Sequence, residues 1–324
     1  IGVRLVGSEM CIRDRYKCLE VNKMLELFND IDFEYVNSED SMIILDDCIN
    51  ALGKMKEKSV DMIFADPPYN LGKDFGNNSD NWSDRKKYLE WCYKWIDECF
   101  RVLKDDGTFY IMNSTQNIPY ISVYLQENYY VINDIVWTYD SSGVQSKRKF
   151  GSLYEPIIMA TKSAKAKYTF NYQDILVEAK TGAKRGLIDY RKNPPQPYNT
   201  QKVPGNVWEF PRVRYKMKEY ENHPSQKPIV LLERIIKASS SKGEIVLDPF
   251  GGTFSTCAVA HDMGRKTIGI DINRDYFKIG VRRTGISDEY DGEKLVQDRS
   301  RKTKNKSKKS RQTESLPGQM VINW

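Results

Sequence analysis

The residues hardest to explain by folding alone are Asp66-Pro67-Pro68-Tyr69. They follow residues 59–65, SVDMIFA, a short apolar run that reads as a buried strand with a polar group at its carboxyl end. An exocyclic amine on an aromatic base is a poor nucleophile, because its lone pair is delocalised into the ring. Two acceptors aimed at its hydrogens pull it toward tetrahedral geometry and free that lone pair. The Asp66 carboxylate and the Pro67 carbonyl supply such a pair, and the rigid prolines keep the carbonyl aimed. Tyr69 offers a face on which a base flipped out of a duplex can stack. The bland alternative is a strand terminator, a capping acid and a packing tyrosine. The buried strand just before the block argues against it.

A second block, Asp248-Pro249-Phe250-Gly251-Gly252, sits between a strand and a helix. Glycines there let a ligand approach the backbone, and a helix amino terminus favours a carboxylate. That suits the methionine end of S-adenosylmethionine. Asp271, about twenty residues on at the next strand end, is placed to hold two ribose hydroxyls; capping the following helix is its structural alternative. Asp248 and Asp271 alone suit a dinucleotide enzyme equally well. The Asp66 block decides, since hydride transfer has no use for it. Two further stretches are ambiguous. His223-Pro224-Ser225-Gln226-Lys227-Pro228 reads alone as a loop and a helix start, yet beside the cofactor loop it would reach the methionine carboxylate. Asp47 reads equally as a helix cap or a site residue.

These groups need a scaffold. A long helix is expected over 84–103, where Tyr88, Leu89, Cys92, Trp95, Ile96, Cys99, Phe100 and Leu103 form one apolar stripe. Asp105-Asp106-Gly107 ends it. Strands are expected at 108–112, 132–137 and 156–160, with a shorter helix at 118–127. Ile229, Leu232, Ile235 and Ile236 stripe a helix that Pro228 opens. Residues 245–248 and 267–271 are strands ending in acids, separated by a small-residue helix that ends at Gly264. Alternating strands and helices make an α/β fold, a mostly parallel sheet with helices on both faces. Ligands bind beyond the carboxyl ends of such strands, so Asp66, Asp248 and Asp271 are placed to converge on one crevice.

Between about 162 and 222 the texture changes, with prolines at 194, 195, 197, 204 and 211, scattered basic residues and many aromatics. This reads as an irregular insertion with its own small fold. The chain turns polar after 285, and 299–311 is almost entirely Lys, Arg, Ser, Thr and Asn, a solvated disordered tail. The run Val6-Gly-Ser-Glu-Met-Cys-Ile-Arg-Asp-Arg15 resembles a translated sequencing-library adaptor, so 1–15 is set aside from fold reasoning.

Size and composition bound the rest. A chain of 324 residues, 40% apolar and 29% charged, builds one large α/β domain with a smaller insertion, or two modest domains. A net charge of +6 fits a nucleic-acid partner without requiring one, and much of it lies in the tail. Six cysteines without a C-x-x-C pair, and only two histidines, argue against a metal site. No run approaches the roughly 20 apolar residues of a membrane helix. A cytoplasmic protein acting at the nucleoid is expected.

Together the motifs resemble the β arrangement of the amino-methyltransferases, in which the D-P-P-Y block precedes the D-P-F-x-G block with a target-recognition region between. The resemblance covers roughly 36–285. It is closer still to the orphan adenine methyltransferases of enteric bacteria that modify ATGCAT, through Tyr139-Asp-Ser-Ser-Gly-Val-Gln145, Tyr190-Arg-Lys-Asn-Pro-Pro-Gln-Pro-Tyr198 and Val203-Pro-Gly-Asn-Val-Trp208. The resemblance implies a seven-stranded Rossmann-like sheet with circularly permuted motifs. It implies a catalytic half at 36–162, target recognition at 163–222, a cofactor half at 223–285 and a basic tail at 286–324. Asp66, Pro67, Pro68 and Tyr69 are then catalytic. Asp248, Phe250, Gly251, Gly252 and Asp271 bind S-adenosylmethionine, Asp47 contacts its adenine, and Ser225, Gln226, Lys227 and Pro228 its methionine end. Phe254 stands where many relatives carry glycine, and is expected to shape the cofactor pocket.

Asp66 favours adenine over cytosine N4, since cytosine-specific members show Ser there. Methylation of RNA or protein, and a DNA-binding protein that has lost catalysis, are the rival classes. Duplex DNA is the expected partner, met by Arg185, Arg191, Arg212 and Arg214 through phosphates and base edges. A palindromic target permits a homodimer or two monomer events.

Overall fold

The computed structural model describes residues 23–286, apart from 74–79, 81, 83, 140–146, 149, 181–184 and 222. The adaptor-like start and nearly all of the basic tail lie outside the described residues, as does most of the 139–145 stretch. The elements run β1 (Glu34–Asn37), β2 (Ser41–Leu45), α1 (Cys48–Lys54), β3 (Val60–Ala65), α2 (Arg85–Val102), β4 (Leu103–Met112), α3 (Ile118–Asn128), β5 (Tyr130–Thr138) and β6 (Tyr154–Thr161). Four two-residue strands follow, β7 (Val177–Glu178), β8 (Ile188–Asp189), β9 (Gln196–Pro197) and β10 (Gln201–Lys202). The chain then forms β11 (Val207–Glu209), α4 (Ile229–Ser239), β12 (Ile245–Asp248), α5 (Ser255–Asp262), β13 (Lys266–Asp271) and α6 (Arg274–Arg283).

One nine-stranded sheet carries the fold, in the order β1-β2-β13-β12-β3-β4-β6-β5-β11. Its middle seven strands are the expected methyltransferase sheet, and β1 and β11 extend it at the two edges. Pairing is parallel from β2 to β4 and between β5 and β11, and antiparallel elsewhere.

Strand β3 shows how a period of two builds two layers. Ile63 and Ala65 pack with Tyr88, Cys92, Trp95 and Ile96 of α2. Met62 and Phe64 point the other way, to Leu231, Leu232, Ile235 and Ile236 of α4. Both faces are therefore apolar, as a covered parallel strand requires. The α2 stripe is buried as its spacing predicts, and the Asp84 side chain caps the helix by accepting from the Lys86 N–H at 2.8 Å.

Two boundaries differ from expectation. The helix stops at Val102, and β4 begins at Leu103 rather than 108, carrying Asp105-Asp106-Gly107 through a register shift opposite β3. A β-carbon at Gly107 would lie 2.6 Å from the Leu103 side chain, so only glycine fits that crossing. The 163–222 segment is also less separate than its composition suggests. It forms two small antiparallel ladders, β7–β10 and β8–β9. Its end returns to the main sheet, where β11 sets Trp208 beside Trp137 of β5. Its start is tied to α4 through Asn171, whose amide donates to the carbonyls of Lys237 and Ser240 at 3.1 and 3.0 Å.

Phe254 requires a correction. It does not face the cofactor crevice but is fully buried behind it, packed with Ile43, Cys257, Tyr276 and Phe277. The physical reason is a socket of glycines. A β-carbon at Gly251, Gly269 or Gly280 would come within 2.5, 2.5 and 2.6 Å of its ring. The ring fills space that three missing side chains leave open, and the residue accepts a left-handed backbone (φ 53°) to do so. Replacing Phe254 by Ala should therefore cost about 3–5 kcal/mol of unfolding free energy in urea melts. A cost below about 1 kcal/mol would show the socket to be collapsible.

Candidate active site

Because β13, β12 and β3 are adjacent and parallel, their carboxyl ends lie side by side. Asp271, Asp248 and Asp66 all line one cavity of about 280 Å³, with Phe250, Gly252 and Trp91. The convergence foreseen from spacing is present.

The turn after β3 is held from several sides. Tyr88 Oη donates to the Pro68 carbonyl at 2.7 Å, and Asn113 Nδ2 donates to Tyr88 Oη at 2.8 Å. Asn117 Nδ2 donates to the Tyr69 carbonyl at 2.7 Å. The buried Asp80 carboxylate accepts the Asn70 and Leu71 N–H groups, fixing a left-handed Asn70 (φ 56°). Pro68 and Tyr69 thus have their carbonyls satisfied. Among the described residues no donor meets the carbonyl of the buried Pro67, which leaves it available as an acceptor beside Asp66.

Asp66 sits in a charged cluster. Its Oδ1 accepts from the Tyr69 hydroxyl at 2.6 Å, and its Oδ2 lies 2.6 Å from Lys227 Nζ. Glu155 of β6 closes the group, 3.3 Å from the Tyr69 hydroxyl and 3.6 Å from Lys227 Nζ. Arg212 lies 3.9 Å from the other Glu155 oxygen, its guanidinium 4.6 Å from the centre of the Tyr139 ring. Burial pushes the Asp66 carboxyl up, and Lys227 and Tyr69 pull it back. Burial also pulls the Lys227 ammonium down, but Asp66 and Glu155 outweigh it and leave it above the ordinary lysine value. Tyr69, raised first by burial and then by Asp66, stays a phenol and a donor. Only 8% of Tyr69 is exposed, so little of its ring is free for stacking and its hydroxyl serves Asp66.

At the other end of the cavity, Asp271 accepts from the Gly252 N–H at 2.8 Å and the Asn273 N–H at 2.7 Å. Burial raises its carboxyl to about 6 and that of Asp248 to about 7. Gly252 has a left-handed backbone (φ 51°), and a β-carbon there would stand 3.0 Å from His223 Nε2. Phe250 packs edge-on against Trp95 and Trp91, and Trp91 forms part of the wall. Asp47 caps α1, accepting from the Ile49 N–H at 2.9 Å, and also lines the cavity.

The 225–228 stretch divides. Ser225 lines the cavity and donates its N–H to His223 Nδ1 at 3.2 Å. Gln226 lines it too, but its side-chain amide is committed to the Glu219 carbonyl and the Glu221 N–H at 2.6 and 2.8 Å. Lys227 points to Asp66. Pro228 is not in the wall; it opens α4, its carbonyl accepting from Leu231 and Leu232. Of the four arginines, Arg185 and Arg214 are exposed. Arg191 is paired with Asp189 through two hydrogen bonds of 2.8 and 3.1 Å, and Arg212, part-exposed, reaches toward the Glu155 cluster.

Spacing did not reveal Tyr88, Asn113, Asn117, Asp80, Glu155 or Trp91 as site residues, and His223 stood out only as the start of an ambiguous stretch. Trp91 alone left a trace, as an aromatic off the apolar stripe of α2.

A DNA methylase family model (N6_N4_Mtase) matches residues 60–282. The chain belongs to the DNA methylase family. DNA adenine methyltransferase YhdJ of Escherichia coli (strain K12) is 56% identical to the methylase over 280 residues, spanning 86% of this chain and 95% of that one. Type II methyltransferase M.HpaI of Haemophilus parainfluenzae is 39% identical over 269 residues, 82% of this chain and 80% of that one. Among solved structures, the cytosine-N4-specific PvuII DNA methyltransferase has a TM-score of 0.59 at 16% identity, over 80% of this chain and 95% of that one. The M1.HpyAVI–SAM complex has a TM-score of 0.50 at 24% identity, over 75% and 99%. These two likenesses speak to the fold. Among the described residues no helix is long and apolar enough to cross a membrane.

The raised carboxyl of Asp248 has a consequence for stability. Its folded value lies above that of the unfolded chain, so the folded state keeps the proton longer and stability falls as pH rises from the ordinary carboxyl value of 3.8 to about 7. Asp248→Asn should melt higher than the parent protein at about pH 8 without ligands, and the difference should narrow below about pH 7 and close toward about pH 4. A difference constant across that range would mean the carboxyl is not protonated in the fold.

Proposed function

We propose that the methylase transfers a methyl group from S-adenosylmethionine to N6 of adenine in duplex DNA. The observation that carries this reading is the Asp66 carboxylate beside an open Pro67 carbonyl, at the mouth of a crevice whose far end holds Asp271.

The crevice fits the methyl donor. Asp271 offers a carboxylate to a pair of vicinal hydroxyls. Gly251 and Gly252 bare the backbone at the start of α5, and Asp47 and Trp91 line the wall beside it. Asp271, Gly252, Phe250 and Ser225 would hold the donor, which brings a methyl carbon made electrophilic by its bond to a sulfonium.

The chain's own work is on the amine. One N–H donates to Asp66 and the other to the Pro67 carbonyl, which turns the lone pair toward the methyl carbon. The sulfonium would supply the methyl group and take back the C–S electron pair, and the amine nitrogen that gains the methyl becomes cationic. One N–H proton then passes to the Asp66 carboxylate, the nearest base.

Adenine is favoured because Asp66 presents a carboxylate where cytosine-N4 relatives show Ser, and YhdJ bears the name of an adenine methyltransferase. ATGCAT is proposed as the target from the 190–198 and 203–208 stretches. Arg185, Arg191 and Arg214 are proposed to meet DNA, with Arg212 acting at the base instead.

Labelled methyl donor, duplex DNA and base analysis test the reading. Label should appear at adenine N6, and label on cytosine would overturn it. Asp66→Ala should lower the single-turnover rate by about 10²–10³-fold, the range for losing one preorganised transition-state partner, while cofactor affinity holds. An unchanged rate would remove Asp66 from the mechanism.

A further inference from the structure

Lys227 lies in a segment that resemblance ties to the methionine end of the cofactor, and it lines the same cavity, yet its ammonium is engaged by carboxylates. Only 6% of the residue is exposed, and Nζ sits 2.6 Å from Asp66 Oδ2. Its remaining partners are the Ser225 carbonyl at 3.1 Å and Glu155 Oε2 at 3.6 Å. A buried ammonium so placed has a cost in desolvation, and partnering one carboxylate repays it only with good geometry and further hydrogen bonds. Here one cation is shared by two carboxylates that also share the Tyr69 hydroxyl.

We propose that Lys227 is a positioning residue for Asp66 rather than a cofactor ligand, and that Glu155 is its second berth. The argument rests on the reading of Asp66 as the acceptor for the target amine. In the state described, Tyr69 occupies one Asp66 oxygen and Lys227 the other. An amine that donates to Asp66 must share or displace one of them. Tyr69 is fixed at its backbone by Asn117. Lys227 has a long, unbranched stem and a second carboxylate about an ångström beyond its present bond, by the difference of the two distances. It can turn toward Glu155 as the amine arrives and keep a paired charge throughout. Once the nitrogen has given up its proton to Asp66, Lys227 is held by Glu155, and the Asp66 proton is free to leave.

The second task is to hold the acceptor ionised. A protonated Asp66 would offer a donor to the amine where an acceptor is needed. Burial drives it toward that form, and Lys227 is the foremost influence the other way. The surrounding charges from every packed element are Lys227 ahead of α4, Glu155 on β6, Tyr69 and Lys73 after β3, Asp248 at the end of β12, and Arg212 and His223 before α4. No other cation comes within 4 Å of the Asp66 carboxylate among the described residues.

The test compares Lys227→Met, Lys227→Arg and Glu155→Gln in the full chain, with S-adenosylhomocysteine affinity by calorimetry and single-turnover methylation followed against pH. Lys227→Met should keep cofactor affinity within about twofold and lose about 10²-fold or more in rate near neutrality, the scale of a mismatched proton acceptor. Its acid limb should move to higher pH, because the carboxylate must now ionise unaided, so raising the pH should restore part of the rate. Lys227→Arg should leave that limb near its parent position. Glu155→Gln should slow transfer without moving the limb upward. Cofactor affinity falling in step with the rate would return Lys227 to the cofactor and overturn the proposal. So would a loss in Lys227→Met that is the same at every pH. Asp66→Ala separates the two levels: if it methylates normally the reading of Asp66 has failed, and if it is inactive while Lys227→Met behaves as a pH-independent loss, only this inference has.

Discussion

A carboxylate at the end of a buried strand must be met by charge or it takes up a proton, and the site is arranged around that demand at residue 66. β3 is apolar on both faces because helices cover both, so its last side chain emerges into a space with little water. Lys227 and Tyr69 supply the compensation there. At Asp248 and Asp271 no cation takes that part among the described residues; backbone N–H groups bond to both, and burial raises the two carboxyls. One sheet edge therefore carries three acids that burial raises, and only the one at residue 66 has a cation and a phenol drawing it back. Acceptor strength is concentrated where the target amine is to be bound, and the others stand ready for neutral hydroxyls and backbone.

The rigidity of the turn is the second requirement. Prolines restrict φ, but they do not by themselves aim a carbonyl. Tyr88 from α2 and Asn117 from the loop after β4 do this by taking up the next two carbonyls, those of Pro68 and Tyr69, and Asn113 holds the Tyr88 hydroxyl in place. Buried hydrogen bonds of this kind are costly to leave unmade. The same physics fixes the left-handed Asn70 through Asp80. The open carbonyl is defined by the neighbours that are closed.

Much of this was legible in the sequence, and the reason differs from residue to residue. Asp66, Asp248 and Asp271 could be found because each ends an apolar run, and parallel sheets bring such ends together. Asp47 could be found only as a choice of two roles; it caps α1 and also lines the cavity. The 41–45 strand and β11 were not anticipated. The first is five residues long beside a two-residue polar turn, and the second is three residues inside a proline-rich stretch, so neither has enough period to read. Tyr88 looked like core because its ring is core; its hydroxyl has another task, which spacing does not report. Glu155 faces Asp66 across the sheet only because β6 runs antiparallel beside β4, and no local pattern carries that. Phe254 was misplaced for a related reason. Its socket is made by Gly251, Gly269 and Gly280, which lie on three separate elements, and the absence of three β-carbons is visible only once those elements pack.

The central claim is that a target amine is held between the Asp66 carboxylate and the Pro67 carbonyl. The most direct measurement is a crystal structure of the methylase with S-adenosylhomocysteine and a duplex carrying its target adenine. The account predicts the flipped base with N6 within hydrogen-bond distance of both acceptors, and Lys227 Nζ nearer Glu155 than it now is. An amine bound by other groups, with Asp66 still closed by Lys227 and Tyr69, would contradict it.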